Sequence, residues 1–453
     1  MSKLARAENT VHVGVSLLAE ASLQPPKITV AEERSLPKFT VCCNAHPDCL
    51  NPMPLTPTQL QSRFAALDAF LLEHQALWRP RPFTHRHLPW ESQHPELSRW
   101  LRHRSLEEAE AAHNHPELLD APQPFAQLAL QSKALSEIDA LPPVSLEPVS
   151  SRMSVDVPGR KWQQIEAFAS RLNFQRQPTH WLDWCSGKGH LGRRLAHGGQ
   201  SLTCLEYDPD LVESGRQLSD KLGVTADHLH QDVMADDAAG RLETHHTPVA
   251  LHACGDLHVR LMHLASDARC RQLAIAPCCY NRIAREHYVP ISEQGKASAL
   301  TLSIDDLGLP LSETVTAGAR VRRQRDTSMA RRLGFDLLQR QLRGVDDYLP
   351  TPSLPSAWLD KPFADYCRDL AELKQLPYPG IQDWEALEAA GWARLAEVRN
   401  LELLRNLFRR PLEMWLILDR AFYLTERGYD VHVGTFCDST VTPRNLLILA
   451  ERP

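Results

Sequence analysis

The stretch Trp181-Leu-Asp-Trp-Cys-Ser-Gly-Lys-Gly-His-Leu-Gly192 decides what fold this chain is expected to have. Asp183 closes an apolar run, and Gly187 and Gly189 follow it directly. A second apolar run ends at Glu206, seventeen residues after Gly189. A glycine turn after one strand and an acid at the end of the next form a nucleoside-binding arrangement. Glycine lets the backbone approach a ligand, and the acid accepts hydrogen bonds from ribose hydroxyls.

Composition limits the class of protein. The chain has 453 residues, 43% of them apolar, which allows two to three domains of roughly 150 residues each. No stretch approaches the roughly 20 apolar residues of a membrane helix, and the first residues lack the apolar core of a signal peptide. We therefore expect a cytoplasmic chain with its eleven cysteines reduced and no membrane partner. A net charge of −6 argues against a chain that coats nucleic acid, and DNA is not an expected partner.

The pattern divides the chain near residue 150. Residues 1–150 are predicted to form an accessory domain, helical or α+β, whose role the sequence does not reveal. Short strands are predicted at 10–15 and 39–42, and a helix at 55–78. The proline-rich segment 139–151 is interpreted as a linker.

Residues 151–453 are predicted to form the methyltransferase domain. Its residues 152–280 alternate between strand and helix patterns, which predicts a parallel sheet covered by helices on both faces. The predicted strands lie near 180–184, 201–206, 226–231, 247–253 and 271–277. A helical insertion is expected at about 281–400. After a helix over 411–426, strands at 429–436 and 446–450 are close enough to be antiparallel. This is a doubly wound, Rossmann-like α/β sheet with a C-terminal antiparallel hairpin, the layout of class I methyltransferases that use S-adenosyl-L-methionine.

That layout assigns roles to the residues of the first three strands. Asp183 and the turn residues Ser186, Gly187 and Gly189 are expected to hold the methionine part of the cofactor. Glu206 is expected to hold the ribose. Asp232, just after the third strand, is expected to bind the adenine amino group, although it also fits a solvated loop acid. The glycine turn also fits a purely structural role or an NAD site, with Gly192 as the third glycine.

The fourth and fifth strands are expected to supply the reacting end of the site, because they lie beside the first strand at the switch point. His252 is a candidate general base, and it also borders the cofactor. Asp256 is a candidate proton acceptor or a plain helix cap. Cys279 is a candidate nucleophile or ligand, and Tyr280 a candidate stacking residue. Buried thiols and a core aromatic remain the alternative for these two.

Two groups of cysteines raise the question of a metal. Cys254, Cys278, Cys279 and His252 converge at the predicted strand ends, but adjacent cysteines lack the two-residue spacer usual in zinc sites. Cys42, Cys43, His46 and Cys49 form a second cluster, again with unfavourable spacing. The sequence therefore predicts no metal.

An arginine-rich stretch lies inside the predicted insertion. It comprises Arg320, Arg322, Arg323 and Arg325, followed by Arg331 and Arg332. Guanidinium groups match phosphate geometry, so the stretch fits RNA binding. It fits an ordinary solvated helix face equally well.

Taken together, the motifs resemble a known family. Asp183-Trp-Cys-Ser-Gly-Lys-Gly-His-Leu191, His252-Ala-Cys-Gly-Asp256 and Pro277-Cys-Cys-Tyr280 are similar to the methyltransferase domain of the methyltransferase-like protein 25 group. The turn Thr442-Pro-Arg-Asn445 also resembles that group. A more distant resemblance is to tRNA 2′-O-methyltransferases. One departure is Cys185, which stands where the family has the first glycine of Asp-x-Gly-x-Gly-x-Gly, and whose Cβ would resist positive φ.

The resemblance and the motifs lead to one functional prediction. The chain is expected to be an S-adenosylmethionine-dependent methyltransferase that modifies structured RNA, either tRNA or rRNA. Alternatives are a protein or small-molecule acceptor, carbon-5 methylation of a pyrimidine through Cys278 or Cys279, an NAD-linked enzyme, and a catalytically silent RNA- or ribosome-binding module. The oligomeric state is not predicted.

Overall fold

Seven strands form a single sheet within the residues that the computed structural model describes, 57–312 and 319–453. Their bounds are β1 His180–Trp184, β2 Ser201–Glu206, β3 Asp227–His230, β4 His246–Cys254, β5 Gln272–Cys278, β6 Asp430–Thr435 and β7 Leu446–Glu451. Six of the seven residues of β5 are apolar or small, and all seven are buried, as expected for a strand covered on both faces. The strands predicted at 10–15 and 39–42, and the cluster of Cys42 to Cys49, lie outside the described residues.

The strand order is β3-β2-β1-β4-β5-β7-β6. β1 to β5 pair in parallel, and the last two strands are antiparallel, with β7 inserted between β5 and β6. This order reverses between β1 and β4, which opens a crevice at the carboxyl ends of those two strands. The predicted fold class, a doubly wound Rossmann-like methyltransferase sheet closed by a C-terminal hairpin, is confirmed.

Fifteen α-helices are found in the described ranges. They are α1 Pro57–Glu73, α2 Gln75–Trp78, α3 Pro95–Arg102, α4 Leu106–Ala112, α5 Phe125–Ser136, α6 Gly159–Ala169, α7 His190–Leu195, α8 Pro209–Leu222, α9 Asp256–Asp267, α10 Glu293–Ala297, α11 Ile304–Leu307, α12 Ala319–Arg343, α13 Phe363–Leu373, α14 Trp384–Asn406 and α15 Arg409–Glu426. None of them is long and apolar enough to span a lipid bilayer.

Helix α15 lies inside the protein, since Pro411 to Leu424 are all buried. Its aromatic residues face helix α1: the rings of Phe64 and Trp415 stack with centroids 5.2 Å apart. Phe70 stacks on Phe408 at 5.0 Å. Residues before and after the predicted boundary at 150 therefore share a hydrophobic core. Whether they are separate domains in an evolutionary sense stays a prediction.

The chain between β5 and β6 is mainly helical, and its longest helices, α12 and α14, pack against each other. Gly391 of α14 allows the close approach, because a Cβ there would lie 2.4 Å from the carbonyl oxygen of Ala330. Several arginines of α12 are used inside the protein. Arg325 pairs with Glu110, and Arg331 pairs with Glu388 and also bonds two backbone carbonyls.

Candidate functional site

The turn after β1 winds through left-handed backbone conformations. Cys185, Gly187 and Gly189 have φ of +58°, +56° and +71°. Two backbone hydrogen bonds fix the turn, from Ser186 N–H to the Leu205 carbonyl (3.0 Å) and from Gly189 N–H to the Ser186 carbonyl (2.9 Å). The cysteine at the usual glycine position thus adopts the strained conformation that glycine would adopt freely. The left-handed conformation of Cys185 costs about 1 kcal/mol or somewhat more in backbone strain, and the turn still forms.

Asp183 lies inside the protein at the end of β1, with 2% of its surface exposed. Its Oδ2 accepts a hydrogen bond from Gly192 N–H at 2.8 Å, which ties the start of α7 to the strand. Glycine at 192 leaves room for this contact, because a Cβ there would lie 2.6 Å from Leu202 Cδ1 and 3.1 Å from the Asp183 side chain. Burial raises the pKa of Asp183 to about 7, against the effect of the Gly192 hydrogen bond and nearby Arg193.

Glu206, at the end of β2, contacts this turn through hydrogen bonds. Its Oε2 accepts from Gly187 N–H at 2.7 Å. Its other oxygen accepts from the backbone N–H groups of Tyr207 and Asp208 at 2.9 and 3.0 Å. The side chain is half-buried, so the carboxylate borders the crevice. The glycine turn and the acid that the sequence singles out are therefore in direct contact.

Asp232 lies after β3, one strand beyond Glu206, and is exposed. The backbone connects the two positions, because Gln231 N–H donates to the Glu206 carbonyl at 2.8 Å. Asp232 Oδ1 accepts from Met234 N–H at 2.9 Å, which shapes its loop. The role of Asp232 in binding the adenine amino group stays a prediction.

His252 occupies an irregular stretch of β4. The register between β4 and β5 shifts between Leu251 and Cys254, and His252 has φ of +73°. The irregularity aims the imidazole at helix α6, where its Nε2 lies 2.8 Å from Gln164 Oε1. One edge of the ring is solvent-accessible, yet the surrounding protein lowers the pKa of His252 and the charge of Lys161 lowers it further. The imidazole is therefore neutral at pH 7.

Asp256 is the first residue of α9, and Gly255 takes the capping position. The carboxylate of Asp256 accepts from Ala284 N–H at 2.8 Å, so it holds the loop after β5 against the helix. Gly255 is essential to this packing, because a Cβ there would overlap the Arg282 carbonyl oxygen at 1.9 Å. In this arrangement Asp256 positions the loop, and its predicted role in proton transfer stays a prediction.

Cys279 and Tyr280 separate at the end of β5. Cys279 is half-buried with φ of +46°, and hydrogen bonds from the Cys254 and Cys278 thiols lower the pKa of Cys279. Tyr280 is fully buried, its hydroxyl donates to Glu413 at 3.3 Å, and Arg420 lies over its ring. The structure therefore places Tyr280 in the core, away from the crevice that the sequence predicts for it. The left-handed turn at the preceding residue sends the ring towards α15.

Three residues at the crevice carry no sequence motif. Lys161 and Gln164 lie on the first two turns of α6, and the charge of Lys161 acts on both Asp183 and His252. Arg444, in the turn before β7, acts electrostatically on Cys279. Sequence periodicity identifies α6 as an amphipathic helix but gives no sign that its first turns face the ends of β1 and β4.

This geometry can be compared with known proteins. Residues 160–286 match the sequence model of a methyltransferase domain family. They run from α6 through β1–β5 to the loop held by Asp256, and therefore contain the glycine turn, Glu206, His252 and Cys279. This part of the chain is therefore similar to methyltransferase domains.

Curated relatives match a limited part of the chain. Glutathione S-transferase C-terminal domain-containing proteins from Homo sapiens and Macaca fascicularis are 31% identical over 159 residues, covering 34% of this chain and 24% of theirs. The Xenopus laevis protein is 31% identical over 144 residues. The chain thus aligns with about a quarter of the length of these relatives. A solved structure, coclaurine N-methyltransferase bound to N-methylheliamine and SAH, aligns at 13% identity with a TM-score of 0.25, covering 77% of this chain and 91% of that one. A TM-score of this size is too low to compare the two sites.

Proposed function

We propose that the chain is an S-adenosylmethionine-dependent methyltransferase. The observation that carries the proposal is the contact between Gly187 and Glu206 at the carboxyl edge of the sheet. It unites a left-handed glycine turn with a half-buried acid beside the switch point, where doubly wound sheets bind their ligands. The family match over residues 160–286 supports a methyl donor as that ligand.

The residues around the turn fit such a donor. Within the described chain, a single hydrogen-bond donor reaches the Asp183 carboxylate, so this buried group keeps acceptor capacity for a ligand. We assign the ribose hydroxyls to Glu206 and the exocyclic amine of the base to Asp232. The cationic Lys161, close to Asp183, suits the carboxylate of an amino-acid moiety.

S-adenosylmethionine supplies a methyl group on a sulfonium, which an acceptor displaces in line. The protein's own contribution is then mainly positioning. The turn from Cys185 to Gly189 holds one partner, and the ends of β4 and β5 present His252 and Cys279 to the other. His252, neutral at pH 7 and oriented by Gln164, accepts the proton of a hydroxyl or amine acceptor.

The test is calorimetric titration of the purified chain with S-adenosylhomocysteine. We expect micromolar binding that Glu206→Ala weakens at least 100-fold, or about 2.7 kcal/mol. Asp183→Asn, which keeps the hydrogen bond to Gly192, should weaken binding as well. The matched control is Glu213→Ala on α8, an exposed acid paired with Arg216. No binding by the unmodified chain, with the fold intact by circular dichroism, would contradict the proposal and favour a silent binding module.

As methyl acceptor we propose structured RNA, tRNA or rRNA. The support is the sequence resemblance and two exposed arginines, Arg320 and Arg323, on the first turns of α12. The rest of the arginine stretch contributes less, since Arg325, Arg331 and Arg332 bond to acids or carbonyls of the same chain. Any electrostatic grip on phosphate is therefore concentrated at the start of the helix.

Labelled S-adenosylmethionine and fractionated lysate would test the acceptor class. Label that nuclease releases supports RNA, whereas label that only protease releases, or label in small molecules, contradicts it. For binding, Arg320→Ala/Arg323→Ala should weaken affinity for RNA and flatten its dependence on salt. The control is Arg86→Ala/Arg427→Ala, two arginines of similar exposure elsewhere on the surface. If both double variants bind RNA with equal affinity, the start of α12 does not contribute to RNA binding.

A further inference from the structure

We propose that Cys254, Cys278 and Cys279 form a binding site for a soft divalent metal ion, with Zn²⁺ as the natural occupant. Their three sulfurs, here called the three-thiol cluster, all lie within 4.8 Å of one another. The Cys254 and Cys278 sulfurs are 3.5 Å apart. Zinc–sulfur bonds of about 2.3 Å in tetrahedral geometry place two sulfurs roughly 3.8 Å apart, so small side-chain rotations bring this cluster to a metal.

The fold explains how adjacent cysteines take part in one cluster. In a regular strand, the side chains of consecutive residues point to opposite faces of the sheet. Cys278 ends β5, and Cys279 immediately turns into left-handed backbone at φ +46°, which lets both thiols approach the same point. Cys254 comes from the neighbouring strand, where it pairs in register with Cys278. Chain turning and strand pairing thus replace the two-residue spacer that the sequence lacks.

The backbone around the cluster is held in place. Gly255 N–H donates to the Cys278 carbonyl at 3.2 Å, and Asp256 N–H donates to the Arg282 carbonyl at 3.0 Å. The close approach of Arg282 to Gly255 locks the segments that follow β4 and β5 together. A preorganised set of ligands binds metal more tightly, because less chain entropy is lost on binding.

The donor set selects the metal. Among divalent ions, three thiolates favour Zn²⁺ over Mg²⁺ or Ca²⁺, which prefer oxygen ligands. Zinc with three thiolates carries one net negative charge, and the cationic Arg282 and Arg444 act on Cys279 at this place. The start of helix α9, next to Cys254, also favours negative charge.

The cluster has the ligand count of a catalytic site. Among the residues that the structure describes, the group contains three ligands and no fourth. Structural zinc sites normally have four protein ligands, whereas catalytic ones keep a position for water or substrate. Cys254 and Cys279 are half-buried, so solvent can reach the cluster and a water or substrate could take the fourth position. Its use in catalysis rests on the proposed function above, but metal binding itself does not.

The experiment uses the full chain, stripped of metal by a chelator under reducing conditions and titrated with Co²⁺ and then Zn²⁺. We expect near-ultraviolet thiolate-to-cobalt absorption that saturates and that Zn²⁺ displaces. Cys254→Ser and Cys279→Ser should each weaken metal affinity at least about 100-fold, since each removes a direct ligand. Cys437→Ser, a half-buried cysteine outside the cluster, is the matched control.

A second variant separates the cluster from the cysteines near the start of the chain. Cys42→Ser/Cys43→Ser should leave the absorption in place if the three-thiol cluster supplies it. Unchanged absorption in Cys254→Ser, or loss of all absorption in Cys42→Ser/Cys43→Ser, would overturn the proposal. S-adenosylhomocysteine binding is measured in parallel. Metal binding without cofactor binding would leave the zinc site standing while the proposed function fails, and the converse result would do the opposite.

Discussion

Two buried aspartates, Asp183 in the crevice and Asp419 in helix α15, show two uses of the same side chain. Asp419 is fully buried and accepts hydrogen bonds from the Tyr288 hydroxyl, the Ser292 hydroxyl and two backbone N–H groups. Asp183 is nearly as buried, yet in the described chain it accepts a hydrogen bond from Gly192 alone. A buried carboxylate with few partners is unfavourable unless a ligand completes its surroundings. The comparison separates a buried carboxylate whose hydrogen bonds the protein supplies from one with a single protein donor, which the proposed function assigns to a ligand.

The same contrast applies to backbone strain. Cys185, His252 and Cys279 follow or interrupt β1, β4 and β5, and all three are non-glycine residues with positive φ. Helix α15 has regular geometry throughout and no such residue. Strain of this kind persists only where the surrounding structure enforces it, and it collects at functional sites. The crevice therefore departs from the energetically easiest structure in both charge and backbone.

Replacement of Asp419 should have the largest effect. Asp419→Ala leaves several buried donors without an acceptor, and we expect a loss of about 4 kcal/mol in the free energy of unfolding. Urea unfolding followed by tryptophan fluorescence measures it. Asp430→Ala, at an exposed aspartate near His432, is the control and should change stability by less than about 0.5 kcal/mol. A loss below about 1 kcal/mol for Asp419→Ala would remove the contrast.

Replacement of Asp183, in contrast to that of Asp419, should increase the free energy of unfolding. Burial raises the pKa of Asp183 from 3.8 to about 7 in the folded chain. Between these pH values the carboxyl ionises in the unfolded chain but stays protonated in the folded one, so the free energy of unfolding falls as the pH rises. Asp183→Asn avoids this cost and should be more stable than the unmodified chain at pH 8, by on the order of 3 kcal/mol.

The pH dependence distinguishes this explanation from a general packing effect. The advantage of Asp183→Asn should shrink as the pH falls from 7 towards 4, because the carboxyl is then protonated in the folded chain. Urea unfolding at pH 8, 6 and 4.5 provides the comparison. An advantage of the same size at every pH would show that ionisation is not its cause.

Cys185→Gly tests the strain at the turn. Without a Cβ the residue adopts its positive φ without strain, and we expect a gain of about 1 kcal/mol in the free energy of unfolding. Cys437→Gly, at a residue outside the set with positive φ, should not stabilise the chain. If Cys185→Gly destabilises the protein, packing of the thiol outweighs the strain.

The smallest effects concern the arginines of α12. Arg325→Ala breaks a partly buried pair with Glu110, and we expect a loss of about 1 kcal/mol or less in the free energy of unfolding. Arg323→Ala, at an exposed position, should change stability by less than about 0.5 kcal/mol. Equal losses would mean that Arg323 is also part of the folded framework.

Periodicity and turn chemistry predicted the sheet well, because each strand carries its own local signal. β1 and β2 lie where the apolar runs at 180–184 and 201–206 put them, and the C-terminal hairpin is antiparallel. The contact of Gly187 with Glu206 follows from strand order and spacing. Local patterns do not contain the turn that buries Tyr280 or the approach of Lys161 to Asp183. These depend on backbone angles at single residues and on helix placement.

The stacking of Phe64 on Trp415 has a consequence for synthesis. The two rings belong to one core, but about 350 residues separate them along the chain, which a ribosome needs roughly 20–70 s to translate at about 5–20 residues per second. During that time the aromatic side chains of α1 lack their native partners in helix α15. A helix whose apolar face stays uncovered this long is a natural substrate for a chaperone, so yields should rise with chaperone supply.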